Sequence, residues 1–265
     1  MEQNFPGVFT AKKKDGTIYY RASITYKQKH ISLGSYQTAL SAYAAYLEGV
    51  MLLTDSSVTL EQFSAHRALS FSKWVCLINY RDNQIYLSTP IYIYKSYFEY
   101  FLSPEHVLKF DIDDLFYYSS HKIMHRGRHF FVADYGMQVN IMNRYGIKNY
   151  AVKDRDYRFV NGDDMDFRYN NIEIFNTYHG VIRKETKKGT RYVAKIHING
   201  NYTIGSYESD IEAAIAYNKA IDILKKAGIN KNFSPNYLEN LSPSVYADIY
   251  SKLCISSKIT DYLRV

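Results

Sequence analysis

Two stretches of this chain repeat one another, and the repeat constrains the fold more than any other feature. The first runs Gly7-Val8, Gly16-Thr17, Tyr20, Ala22, Ile24, Leu33-Gly34-Ser35-Tyr36, Ala42 and Ala45-Tyr46. The second runs Gly180-Val181, Gly189-Thr190, Tyr192, Ala194, Ile196, Ile204-Gly205-Ser206-Tyr207, Ala213 and Ala216-Tyr217. The offset between them drifts only from 173 to 171 residues. Two copies are too few for a stacked solenoid. They imply two small modules of one kind.

Each module has a legible internal structure. Apolar alternation at 7–12, 19–26 and 29–36 predicts three strands, separated by turns at Lys14-Asp15-Gly16 and Lys27-Gln28. A helix follows. In the second copy Ala213, Ala216, Tyr217, Ala220, Ile221 and Leu224 recur at helical spacing, as do Ala42, Ala45, Tyr46, Gly49, Val50 and Leu53 in the first. Thr38 opens the first helix, and Ser209 with Glu212 forms a capping box before the second. Small alanines let the helix lie close on a thin sheet, covering one face and leaving the other open.

Charge follows the repeat. The chain has 265 residues with 33 Lys and Arg against 26 Asp and Glu, a net charge of +7. Residues 1–55 hold six basic and four acidic residues (+2), and residues 178–231 hold ten and five (+5). Residues 56–177 hold fourteen of each, and residues 232–265 three of each. All the excess lies in the two repeated segments, the pattern expected of polyanion-contacting ends around a neutral middle. At 46% hydrophobic and 22% charged the chain reads as globular. It has no apolar run long enough to span a bilayer and no charged-then-apolar leader, so membrane insertion and secretion are not expected. Cys76 and Cys254 are too few for a disulfide framework or a four-thiolate zinc site.

The residues Gly7-Val8, Tyr20-Arg21-Ala22-Ser23-Ile24, Leu33-Gly34-Ser35-Tyr36 and Ala42 to Tyr46 resemble the plant Apetala-type (ethylene-response-factor) DNA-binding domain, versions of which occur in phage homing endonucleases. The resemblance covers about 45 residues in each copy. It implies that outward side chains of the sheet touch bases and phosphates. Strand alternation, with Ala22 and Ile24 facing the helix, assigns Tyr19, Arg21, Ser23, Thr25 and His30 to that surface, with Lys12 and Lys13 beside them. In the second copy the outward set is Lys184, Arg191, Val193, Lys195, His197 and Thr203. Phe9, Ala11 and Ser32 stand where the family carries base-reading residues, a departure that leaves sequence preference open.

The middle carries a second resemblance. Residues 156–174 contain Asn161-Gly162-Asp163, Asp166, Arg168 and Asn171-Ile172, an arrangement similar to the core of HNH nucleases. Upstream, residues 110–114 and Asn143-Arg144 sit where the same phage proteins carry an acidic opening and a His-Arg pair. HNH chemistry needs a histidine base, and a carboxylate with an Asn or His to hold one divalent metal. Aligned on Asn-Gly-Asp, the base position is Phe159 and the carboxylate position is Arg158, while Asn171 alone keeps a ligand type. A ring cannot accept a proton, and a guanidinium repels Mg2+. The resemblance therefore implies a degenerate centre without catalytic residues or metal, in which Arg158 and Arg168 serve DNA contact. The aspartates at 154, 156, 163, 164 and 166 read as turn and helix-start residues. His121, His125 and His129 lie four apart but sit beside Phe130-Phe131-Val132, which reads as strand rather than as a zinc-binding helix. The many aromatic residues of 92–101 read as core.

These readings give an α+β fold: two three-stranded-sheet-plus-helix modules flanking a central α+β region with an HNH-like ββα remnant. The expected divisions are a module at 1–55, a degenerate HNH-like domain at 56–177, a second module at 178–231 and a C-terminal helical tail at 232–265. The expected function is duplex DNA binding without catalysis, regulatory or site-occluding, by a phage-derived protein in the cytoplasm of a bacterial host. The alternatives are an active Mg2+-dependent nicking endonuclease and a protein that binds a host factor. No cofactor is expected unless the nuclease alternative holds.

Overall fold

The computed structural model describes residues 5–127, 129–229 and 231–261. Its architecture is α+β, divided into two compact units. One comprises Met1–Val139 with Asp163–Tyr169, the other Asn140–Gly162 with Asn170–Val265.

The first unit begins with β1 (Val8–Lys12), β2 (Ile18–Tyr26) and β3 (Lys29–Tyr36), an antiparallel sheet in that order. The β2–β3 hairpin turns at Lys27 and Gln28, both at positive φ (44° and 64°), the two-residue turn whose twist matches that of its strands. Thr38 caps α1 (Ala39–Thr54) by accepting the Ser41 amide at 3.1 Å. Ala42 and Ala45 are fully buried on Ala22, Ile31 and Leu33. The core does not stop at the helix. Trp74, Leu77 and Ile78 of α2 (Phe71–Asn83) join the same cluster, and Arg81 donates to the carbonyls of Leu52, Asp55 and Val58, satisfying the C-terminal end of α1. The sequence showed no helical period here because residues 74–80 are all buried. A helix covered on all sides has no polar face to mark its repeat.

Beyond α2 lie β4 (Ile91–Ile93), β5 (Tyr97–Ser103) and β6 (His106–Asp111) in one sheet, then α3 (Leu115–Ser120), then β7 (Ile123–Arg126), β8 (His129–Asp134) and β9 (Met137–Asn140) in another. Of the aromatic stretch expected to be core, Phe98, Tyr100 and Phe101 are buried and Tyr92, Tyr94 and Tyr97 are half-buried; Phe110 and Tyr118 are buried as well. His125 and His129 lie on the paired strands β7 and β8. Residues 163–169 run along β6: the Lys109 amide donates to Met165, the Phe167 amide donates to Lys109, and the Phe167 ring packs 5.5 Å from Phe110.

The second unit holds β10 (Tyr157–Phe159) paired with β11 (Ile172–Ile174), then the repeat sheet β12 (Val181–Thr186), β13 (Gly189–His197) and β14 (Asn201–Tyr207). It closes with α4 (Asp210–Lys226), α5 (Pro243–Lys252) and α6 (Ser257–Asp261). Ala194, Ile196 and Ile204 pack under Ala213, Ala216 and Ala220, and the tail adds Phe233 and Ile259 to that core. The repeat extends to detail. The β2–β3 and β13–β14 registers shift at the matching step, after Ala22 and after Ala194, where β3 and β14 each carry one extra residue, Leu33 and Ile204. Tyr36 and Tyr207 each donate to a carbonyl of the segment closing their module, Ala68 at 3.2 Å and Cys254 at 3.0 Å.

Candidate nucleic-acid interface

The sheet of the second module is covered by α4 on one face. On the other, cross-strand pairing sets Lys184 beside Arg191, Ile182 beside Val193 and Ser206, Lys195 beside Thr203, and His197 beside Asn201. Lys184, His197, Thr203 and Ser206 are exposed, while Arg191, Val193 and Lys195 are half-buried. Three strands about 4.8 Å apart make a ribbon about 10 Å wide, and the B-DNA major groove is about 12 Å wide. Arg191 is held in place, with one guanidinium nitrogen 3.2 Å from Glu208 and another donating to Ser206 O at 3.0 Å. At the rim Glu185 accepts from the Thr190 hydroxyl and from Arg183, which together hold its carboxyl below the usual range.

The first module presents a different surface on the same frame. Its open face pairs Phe9 with Arg21 and Ser35, Ala11 with Tyr19, and Thr25 with His30. Phe9 is 56% exposed. Arg21, Thr25 and His30 are exposed and Tyr19 is half-buried. The counterpart of Arg21 in the second module is Val193, and that of Tyr19 is Arg191, so positive charge falls on different rungs of the two sheets. One rung is shared in kind: Thr25 and His30 lie 3.3 Å apart across their hairpin, and His197 and Asn201 lie 3.1 Å apart across theirs.

Ser23 requires a correction. It is 8% exposed, so it offers the open face almost no surface. The alternation of β2 runs on unbroken, with Ala22 and Ile24 buried and Arg21 and Thr25 exposed, but the Ser23 amide donates to Gly7 O at 2.9 Å, and beside that backbone the short side chain is buried. Lys195 makes the same bond to Gly180 O at 2.7 Å, but its longer side chain remains half-exposed. Lys12 and Lys13 are exposed at the end of β1. Pairing sets Lys12 opposite Ile18, one register step from the Ala11–Tyr19 rung of the open face.

The HNH-like stretch is divided between the two units, with residues 163–169 in the first and both of its strands in the second. Two short antiparallel strands, β10 and β11, flank the stretch. The expected helix is one 3-10 turn at Tyr169–Asn171, ahead of β11. At the base position Phe159 is buried, and at the ligand position Arg158 pairs with Glu173 across the ladder at 2.7 Å and covers the Phe175 ring. Asn171 is 4% exposed and its side-chain oxygen accepts the Asn161 amide at 2.8 Å, so it clamps the ends of the excursion. Arg168 forks onto the buried Asp166 carboxylate at 2.6 and 2.8 Å. Arg158 and Arg168 thus belong to different units, and each is committed to a carboxylate. Among the described residues no group of three or more His, Cys, Asp or Glu is placed to hold a metal ion. No helix of the described residues is long and apolar enough to cross a membrane.

One site escaped the sequence reading. Asp156 is buried and accepts from Arg155, from the Val152 amide at 2.8 Å and from Asn176 at 3.0 Å. Burial alone would raise its carboxyl, but these bonds outweigh it and hold the group below the usual aspartate range. Nearby His179 is sandwiched between Tyr150 at 4.8 Å and Tyr217 at 5.3 Å. Burial, with Arg155, lowers its pKa and keeps the ring neutral. No residue spacing signals this assembly, because its parts come from three separated segments.

No protein-family model, curated protein or solved structure matches the chain.

Proposed function

We propose that the chain is a duplex DNA-binding protein that grips the double helix with the open faces of its two repeat modules and leaves the strands uncut. The observation that carries this reading is the second-module sheet. It is closed by a helix on one side, while the other side carries Lys184, Arg191 and Lys195 with the polar side chains His197, Thr203 and Ser206. A strand ribbon of this width enters the major groove, where cations reach phosphates and polar groups reach base edges. The resemblance to Apetala-type domains supports the same reading. Phe159 and Arg158 at the positions that HNH chemistry reserves for a base and an anion support binding without cleavage. Occluding a site, regulating transcription and organising phage DNA all fit such a binder.

The test is incubation with supercoiled and linear duplex, with and without Mg2+ or Mn2+, read on native and denaturing gels. Retention on the native gel with intact strands on the denaturing gel is expected at any protein excess. Metal-dependent nicking that disappears in Asn171→Ala would establish the endonuclease instead. Absence of retention in low salt would leave a protein-binding role for these faces.

A further inference from the structure

At one end of the β12–β13–β14 sheet the second unit holds a pocket of about 390 Å3. Lys195, Lys231 and Arg155 contribute three positive charges to its wall and Asp156 one negative, a formal excess of two. The Lys231 ammonium donates to Ile198 O at 2.7 Å. Four aromatic side chains, Tyr150, Tyr178, Tyr217 and Phe233, share the rest of the wall with aliphatic and small polar residues. Burial raises the pKa of all three phenols, so those rings are neutral. His179 also lines the pocket. Among the described residues its Nδ1 is one of only two buried side-chain nitrogens or oxygens with no hydrogen-bond partner.

We propose that this pocket binds a nucleoside monophosphate group, with its phosphate held by Lys195 and Lys231, the two cations left over once Arg155 is paired with Asp156, and its base against the aromatic side chains. The volume lies at the lower end of the range of small-molecule sites and suits one nucleotide rather than an oligomer. Excess positive charge selects an anion, while neutral rings select a flat partner that stacks; a nucleotide supplies both. The same chemistry comes from a free nucleotide or from the 5′-phosphorylated end of a DNA strand, and only the second source rests on the proposed DNA binding.

Titration of the full chain with thymidine 5′-monophosphate, thymidine and inorganic phosphate, followed by calorimetry and by the ring resonances of His179, tests the site. The nucleotide is expected to bind more tightly than either fragment and to shift those resonances. Lys231→Gln and Lys195→Gln, each confirmed folded by its melting curve, are expected to weaken it about five-fold, the loss of one charge-assisted bond. No nucleotide binding, or binding unchanged in both variants, overturns the proposal. A duplex with 5′-phosphate ends binding more tightly than one with 5′-hydroxyl ends identifies the strand end as ligand, and equal binding identifies the free nucleotide. Covalently closed circular DNA has no ends. Its retention without nucleotide binding sinks the pocket and spares the DNA reading, and the reverse result does the opposite.

Discussion

Asp156 shows how a single residue ties the second unit together. Its carboxylate meets Arg155, the Val152 amide and Asn176, while its carbonyl accepts the amides of Phe175 and Asn176. A carboxyl whose folded pKa lies below its unfolded one adds stability at pH above the ordinary aspartate range. That stability is lost as pH falls through the folded value. The melting temperature of the wild-type chain is therefore expected to fall between about pH 5 and pH 2. Asp156→Asn is expected to melt lower at neutral pH, by about 2 kcal/mol of stability, because charged and polar partners lose their acceptor. Its acid-side slope should be shallower. An unchanged slope in a thermal-melt series would assign the acid sensitivity to other carboxylates. In the sequence this aspartate was one of five around an Asn-Gly turn, and nothing in its spacing told a buried anchor from turn residues such as Asp163, which accepts the Met165 amide.

At the scale of elements, the two modules were legible because their constraints are local. Alternation marks strands, small residues mark the helix face, and glycines mark close approaches. Gly7 and Gly180 sit at positive φ (70° and 74°), each where a strand passes beneath a helix tyrosine, Tyr46 or Tyr217. A Cβ there would also lie 2.7 Å from Ser23 O or 2.5 Å from Lys195 O, so neither ring nor backbone leaves room. Gly180→Ala and Gly7→Ala are each expected to cost about 3 kcal/mol, measured by denaturant unfolding. An alanine at Gly189, also at positive φ but with open space around it, should cost less, about 1 kcal/mol. Equal losses at all three would mean that backbone strain alone, and not the strand–helix approach, makes glycine necessary. What alternation could not show was the burial of Ser23, because it arises where the Gly7 backbone meets β2, a contact between separate segments that leaves no periodic pattern in the residues. α2 was hidden for the converse reason, its central two turns at 74–80 having no exposed face.

For the whole molecule, the net charge of +7 bears on function only through where it is free to act. The repeat placed the excess correctly in sequence, but pairing then redistributes it. Arg158, Arg168 and Arg191 each face a carboxylate, and Arg21 is the one charged side chain on the open face of the first module among the described residues. The four face cations Arg21, Lys184, Arg191 and Lys195 would displace about four counterions, and Lys12 and Lys13 at the end of β1 take the count to about six. The log–log salt slope of duplex binding should then be about −5. Replacing Arg191 and Lys195 together should weaken binding more than replacing Arg21 alone and should flatten the slope by about 2. Glu208→Gln removes the acid that competes with DNA for Arg191, so that variant should bind more tightly at low salt, most visibly where screening is weakest. A slope near zero with tight binding would assign these faces to hydrophobic or protein recognition, with the exposed Phe9 as the natural anchor. A larger loss from Arg21 than from the double change would make the first module, despite its sparse charge, the one that holds the DNA.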